Sequence, residues 1–403
     1  MKGWQIKKLN EICDNLDKQR IPITKSVRQP GNIPYYGASG IVDYVADYIF
    51  DEDLLLVSED GANLLARTYP IAFSITGKTW VNNHAHVLRF AYKPTQKFVE
   101  YYLNFISIEA YVSGMAQPKL NQKALNSIDI PLPALPQQKR IVAILDEAFE
   151  GIDAAIANTQ KNLANARELF ESYLNGIFTR KGEGWVEKKF HEILTCQPRN
   201  GWSPPANNHS PTGTPVLTLS SVTGFHFNQY KRKFTNAPTK KDAYYWLKNG
   251  EFLISRSNTP ELVGHVAICE NLITPTICCD LIMKMQIDLS QANNKFIYWY
   301  FRTGKMRNLI TSSAQGANPT MKKINKGIVQ NLPVTFPSIQ QQKNIADTLD
   351  DFYLNTQQLE SLYQRKLEAL QELKQSLLQK AFTGELTNDT AKEVADASKE
   401  AAA

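Results

Sequence analysis

The sequence is poor in the features that mark several protein classes. Its five cysteines, at positions 13, 196, 269, 278 and 279, include no Cys-x-x-Cys spacing. An odd, scattered set argues against a disulfide framework and predicts a reduced, cytoplasmic setting. No apolar run approaches the ~20 residues of a membrane span, and no signal-peptide pattern opens the chain. The phosphate-binding strings GxxxxGK[ST] and GxGxxG are missing, as is the zinc-binding HExxH. His84 and His86 form a His-x-His pair with no evident third ligand, so a turn or core role is expected and no metal site. The one Pro-Pro, Pro204-Pro205, lacks the neighbours of an (N/D)PPY methyltransferase motif, and no acidic pair followed by Glu-x-Lys suggests a nuclease. These absences predict a non-catalytic chain that holds no cofactor of its own.

What is present is a repeat, and repeats are sought first because each unit then becomes a structural module. PQQKRIVAILDEAF (136–149) returns as QQQKNIADTLDDFY (340–353), an offset of 204. At that offset Lys119-Leu120-Asn121 meets Lys323-Ile324-Asn325, and Phe178-Thr179 meets Phe382-Thr383. The opening GWQIKKLNEI from Gly3 returns as GWVEKKFHEI from Gly184, an offset of 181, so the second copy carries 23 extra residues in its variable part. With 43% hydrophobic and 21% charged residues, the chain is globular in composition. It divides into variable block 1–136, helical segment 137–180, variable block 181–336, helical segment 337–386 and a tail, 387–403, expected to be mobile.

The helical segments carry an apolar stripe. Leu145, Phe149, Ile152, Ile156, Thr159, Leu163, Ala166, Phe170, Tyr173 and Ile177 alternate four- and three-residue steps. The second stripe runs Leu349, Phe352, Thr356, Leu359, Tyr363, then Leu370, Leu373 and Leu377, interrupted at Lys366. An average step of 3.5 keeps one face toward one partner, the pattern of a coiled-coil seam. From Gln137 to Phe178 a helix would run roughly 63 Å, too long to be covered by either block. The expected partner is the other helix, antiparallel if the halves are related by a pseudo-twofold axis.

The blocks read as mixed α/β. Strand-like runs such as DLLLVS (53–58), HVLRF (86–90), EFLISRS (251–257) and LIMKMQI (281–287) alternate with turns, and a helical stretch follows each set at 97–106 and 295–304. The fold class expected is α+β: two similar blocks joined by two long antiparallel helices. The charge is lopsided. Residues 181–336 hold 19 basic against 9 acidic residues, a net of +10, whereas residues 1–136 hold 14 against 13. A polyanionic partner such as double-stranded DNA would account for the basic block. Loop residues able to meet base edges or phosphates are Tyr35, Tyr36, Ser39, Ser58, Asn82, Asn83 and His84 in the first block. In the second they are Lys231, Arg232, Lys233, Arg256, Ser257, Asn258, Lys322 and Lys323. Each such loop is equally an ordinary solvated turn.

Taken together, DIPLPALPQQKRIVAILDEAF (129–149), its copy TFPSIQQQKNIADTLDDFY (335–353), the helix ends LNGIFT and LLQKAFTGEL, and the GW-x-x-KK openings resemble the specificity subunit of type I restriction–modification enzymes. The resemblance runs from Gly3 to about Leu386. It implies that each block is a target recognition domain for one half of a bipartite, asymmetric DNA sequence. It also implies that the helices are a conserved spacer on which two modification subunits dock. S-adenosylmethionine would belong to those subunits, and ATP and Mg²⁺ to further restriction/translocase subunits. Three other readings stay open at this point: a DNA-binding scaffold for a different phage-defence methyltransferase, a self-contained methyltransferase–nuclease with unrecognised motifs, and a purely structural coiled coil.

Overall fold

The computed structural model describes residues 4–114, 116–316, 318 and 320–387; of the expected tail only Thr387 is among them. Of these, the residues up to 161 with those from 363 onward form one compact unit, and those between 162 and 362 form the other. The division cuts across the boundaries drawn from sequence, because both long helices, Leu135–Thr179 and Ile339–Thr383, contribute to both units.

In unit 1 an antiparallel sheet has the order 14–15, 85–89, 54–58, 72–75, and a second sheet the order 40–45, 30–37, 78–81, 50–51. The central strand Leu54–Ser58 reads as unbroken apolar sequence because both its faces are covered. Alternate side chains point opposite ways, so Leu54 and Leu56 meet Phe50, Val81 and Val87 between the sheets. Leu55 and Val57 meet Phe98, Val99 and Leu103 of the helix Lys93–Phe105. Unit 2 repeats the plan with an antiparallel sheet ordered 194–200, 282–287, 252–255, 266–268. Phe252 and Ile254 face the helix Asn294–Arg302, and Leu253 faces Val216, Leu217 and the buried Cys269 and Cys278. A three-stranded sheet, 209–210, 232–235, 214–217, stands where the second sheet of unit 1 does: Val216 bridges Ile277 in parallel as Tyr36 pairs with Val81, and Trp246 bridges Ile277 antiparallel as Phe50 pairs with Thr79. The repeat is also visible in register: Gln5 pairs with Leu132 in unit 1, and Val186 with Phe336 in unit 2.

Each block is closed by the end of the helix that follows the other block. In unit 1 Phe98 lies between Trp4 (5.9 Å) and Phe382 (5.3 Å), and Tyr102 packs on Phe382 at 5.1 Å. In unit 2 Phe296 lies between Trp185 (5.9 Å) and Phe178 (5.2 Å), and Tyr300 packs on Phe178 at 5.3 Å. The helix segments run antiparallel within each unit. Gln137 meets Thr387 and Asp153 meets Lys374 in unit 1, whereas Phe170 meets Phe352 and Arg167 meets Glu360 in unit 2.

Burial along the two stripes is uneven. Leu145, Phe149, Ile152 and Phe170 are buried, as are Leu349, Leu370 and Leu377. Ile156, Leu163, Phe352 and Tyr363 are half-buried, and Tyr173 and Leu359 are exposed, against expectation. The blocks, not only the partner helix, do the covering: Phe149 packs on Tyr101, and Phe170 on Trp299. Thr159 and Thr356 sit buried in the stripe by returning their hydroxyls to the carbonyls of Ala155 and Phe352.

Removing the Phe382 ring should therefore act on unit 1, not on the block that precedes it in sequence. Phe382→Ala is expected to cost about 3–5 kcal/mol. Hydrogen exchange should show lost protection in Gln5–Lys8 and Lys93–Phe105 and little change in Val186–Lys189. Equal loss in both units would contradict this closure.

Candidate DNA interface

In unit 1 three loops converge beyond the end of the central strand. Ser113 and Lys119 exchange reciprocal backbone bonds (2.9 and 2.8 Å). The Leu120 N–H donates to Glu59 O (2.8 Å), Gly61 N–H to Pro118 O (3.0 Å) and Glu59 N–H to His84 O (2.9 Å). Beneath them lies a charged network. His86 is buried, with Nδ1 2.6 Å from Asp17 Oδ2 and Nε2 2.7 Å from Leu120 O. Val87 N–H donates to Asp17 Oδ1 (2.9 Å), and Glu59 takes Arg20 at 2.7 Å and Lys119 at 3.2 Å. Burial by itself would raise the carboxyl pKa of Asp17. The hydrogen bond and charge of His86, the Val87 N–H and Arg20 outweigh it and hold Asp17 below the ordinary carboxylate range. Glu59 is lowered against its own burial by Arg20, His86 and Lys119.

Unit 2 builds the same loops on different chemistry. Gln315 and Lys323 exchange the corresponding pair of bonds, both 2.8 Å, Ile324 N–H donates to Arg256 O (2.9 Å), and Arg256 N–H to Leu281 O (2.8 Å). By these bonds Arg256 stands at the backbone position that Glu59 occupies in unit 1. Glu59 is locked in its ion pairs, whereas the half-buried Arg256 side chain makes no hydrogen bond or ion pair among the described residues. The short pairing of 257–258 with 322–323 brings Ser257, Asn258, Lys322 and Lys323 together beside it. Lys231, Arg232 and Lys233 lie on the three-stranded sheet. Arg232 stacks over Tyr230 and Phe234 (5.7 and 5.4 Å), while Lys231 and Lys233 are exposed. Lys233 and Leu281 line one cleft of about 260 Å³, which connects this sheet to the Arg256 loop.

Several residues proposed from sequence are corrected by their burial. Tyr35 lies inside the fold, with Oη 3.3 Å from Ile23 O and Arg28 over its ring. Ser58 is buried and donates to Ala38 O. Asn82 is buried and shapes its turn by accepting from His84 N–H (2.8 Å). Ser257 is buried beside Met321 Sδ. None of these four side chains can reach a base while the fold is intact. Tyr36 is half-buried against Phe73. Ser39 and Asn83 are exposed, and so is His84, which pairs with Asp60 at 2.9 Å. Asn258 accepts from Thr259 N–H, and Lys322 donates to Gly316 O. Sequence reasoning missed Asp17, Arg20, Glu59 and Lys119, and it expected for His86 a turn or core role, which its burial fits. Glu59 follows the candidate Ser58, but nothing local marks an acidic residue there as the hub of a network.

The unit 1 network gives a definite pH dependence. Asp17 and Glu59 have depressed folded-state pKa values, so their stabilisation is present above the unfolded carboxylate range of about 4. It is lost as pH falls through the folded values. Asp17→Ala is expected to cost about 3–5 kcal/mol at neutral pH, since it strips a buried charge of its partner. The gap from the parent protein should narrow below about pH 4, measured by hydrogen exchange in residues 58–61 and 118–121. A gap independent of pH would contradict the network.

The type I restriction modification DNA specificity domain matches residues 1–165 and 182–369, once in each half. A putative type I restriction enzyme specificity subunit of Haemophilus influenzae is 27% identical over 359 residues, 86% of each chain. The EcoKI specificity subunit of Escherichia coli is 26% identical over 297 residues, 70% of this chain and 62% of that one. Among solved structures, a chain from a study of type I restriction–modification complex assembly and conformational transition superposes with a TM-score of 0.70. It is 18% identical and matches 96% of this chain and 99% of its own. The HsdS subunit of Thermoanaerobacter tengcongensis gives a TM-score of 0.54 at 19% identity, matching 96% of this chain and 98% of its own. With the domain found twice over most of its length, the chain belongs to the type I restriction–modification DNA specificity family.

Proposed function

We propose that each unit reads one half of a bipartite double-stranded DNA target and that the helices shared by both units carry two modification subunits. The observation that carries this is one backbone plan bearing different loop chemistry, with Glu59 and Arg256 at the same place. A duplicated reader whose loops have diverged suits two unlike half-sites. S-adenosylmethionine would enter with the modification subunits, and ATP and Mg²⁺ with restriction/translocase subunits that join them. Recognition of duplex DNA rests on Lys231 and Lys233 for phosphates, and on Arg256 with Asn258 and Lys323 for base edges.

Two measurements test this. Long-read mapping of methylated adenines in cells, with residues 4–132 exchanged for those of a relative, is expected to change one half of the methylated motif and leave the other. A change in both halves would rule out independent reading.

The second measurement separates phosphate from base contacts. Each phosphate contact adds about −0.9 to the slope of log K against log salt. Neutralising Lys231 and Lys233 should flatten the slope by up to about 1.8 and weaken all sequences alike. Arg256→Ala should instead cost about 1–3 kcal/mol on the specific site only. Unchanged affinity and motif in Arg256→Ala would remove it from the interface.

A further inference from the structure

The helix ends that close the two units differ in one respect. In unit 1 the chain turns back after the second long helix. Leu386 N–H donates to Lys380 O (3.0 Å), Gln137 Nε2 donates to Thr387 Oγ1 (3.1 Å), and the Leu386 side chain is fully buried. Ile141 and Leu377 are buried beside it, and Leu373 is half-buried. The offset of 204 places Gly182 where Leu386 stands. Unit 2 therefore lacks the leucine, and a groove of about 500 Å³ is open there. Its walls include Leu169, Tyr173, Ile177, Trp185 and Ile345, with Arg180 as its one charged residue. Leu169 and Tyr173, the counterparts of Leu373 and Leu377, are 61% and 40% exposed.

We infer that this groove takes a leucine side chain from an extended, acidic segment of a modification subunit. The chemistry of the occupant comes from the molecule itself: in unit 1 the equivalent place is filled by Glu385-Leu386, and in unit 2 Arg180 stands ready for the acidic neighbour. The groove is built from both long helices, on the faces the docking reading assigns to modification subunits, and the inference rests on that reading. In unit 1 the same place is taken in cis, so two identical subunits meet non-equivalent surfaces and only one inserts its leucine.

The test fills the groove from within. A Cβ built at Gly182 meets only the Trp185 ring, at 3.7 and 3.9 Å, and Gly182 has no left-handed backbone to strain, so Gly182→Leu should fold. Native mass spectrometry and titration of the full chain with its modification subunit are the readouts. Two subunits are expected on the parent protein. Gly182→Leu should weaken one of them about 10- to 100-fold, the equivalent of one buried leucine, and leave the other unchanged. Leu169→Glu, at an exposed position, should do the same, while Gly182→Ala should do little. Unchanged affinity for both subunits in Gly182→Leu and Leu169→Glu would overturn the groove proposal and leave docking intact. A parent chain that binds no modification subunit would instead overturn the docking reading and the groove with it. If Gly182→Leu abolished self-association of the isolated chain, the occupant would be a second copy, and the proposal would fall.

Discussion

The insertion of one aromatic ring from a distant helix end into each block is the constraint on which the rest of the structure depends. Phe382 completes the cluster of Trp4, Phe98 and Tyr102, and Phe178 completes that of Trp185, Phe296 and Tyr300. Neither block can bury its inner helix with residues from its own repeat alone. A buried aromatic side chain contributes a few kcal/mol, comparable to the stability margin of a small domain. The helices must therefore span both units to let either one fold, which explains why GW openings and Phe-Thr endings are kept in both repeats while the intervening loops drift.

Polar anchors fix where each helix starts. The second glutamine of the repeated Gln-Gln-Lys is buried in both copies. Gln138 accepts from Thr95 Oγ1 and donates to Pro133 O, while Gln342 accepts from Asn293 N–H and donates to Pro337 O. About two turns onward, Asp146 accepts from Tyr101 Oη (2.5 Å) and Asp350 from Trp299 Nε1 (2.8 Å). A buried amide left without partners is costly, so each pair sets helix and block in a single register. The likeness of the two helical segments at these positions is thus a likeness of anchoring.

Much of this was legible in the sequence because it is periodic or repeated. The step of 3.5 located both helices, and the apolar run 53–58 marked a strand. What was not legible depends on partners far along the chain. Nothing local says which of two adjacent tyrosines, Tyr35 or Tyr36, points inward, since a period of two needs the sheet to set its phase. Ser58 and Ser257 look like solvated loop residues, yet Ser58 is buried against Ala38 and Ser257 against Met321. The stripe predicted Tyr173 and Leu359 to be buried, because a seam read from one helix assumes a partner surface along its whole length.

Glu59 and Arg256 show how a duplicated scaffold permits divergence. Their backbones make the same bonds, so the backbone plan does not depend on which side chain stands there. In unit 1 the acidic residue is neutralised by Arg20 and Lys119 and becomes part of the support for its loops. In unit 2 no such pair is made, and an arginine remains with its donors unspent beside a row of lysines. The net charge of +10 in the second block against +1 in the first follows the same division. One unit spends its charges on holding its loops, and the other leaves them available to a polyanion.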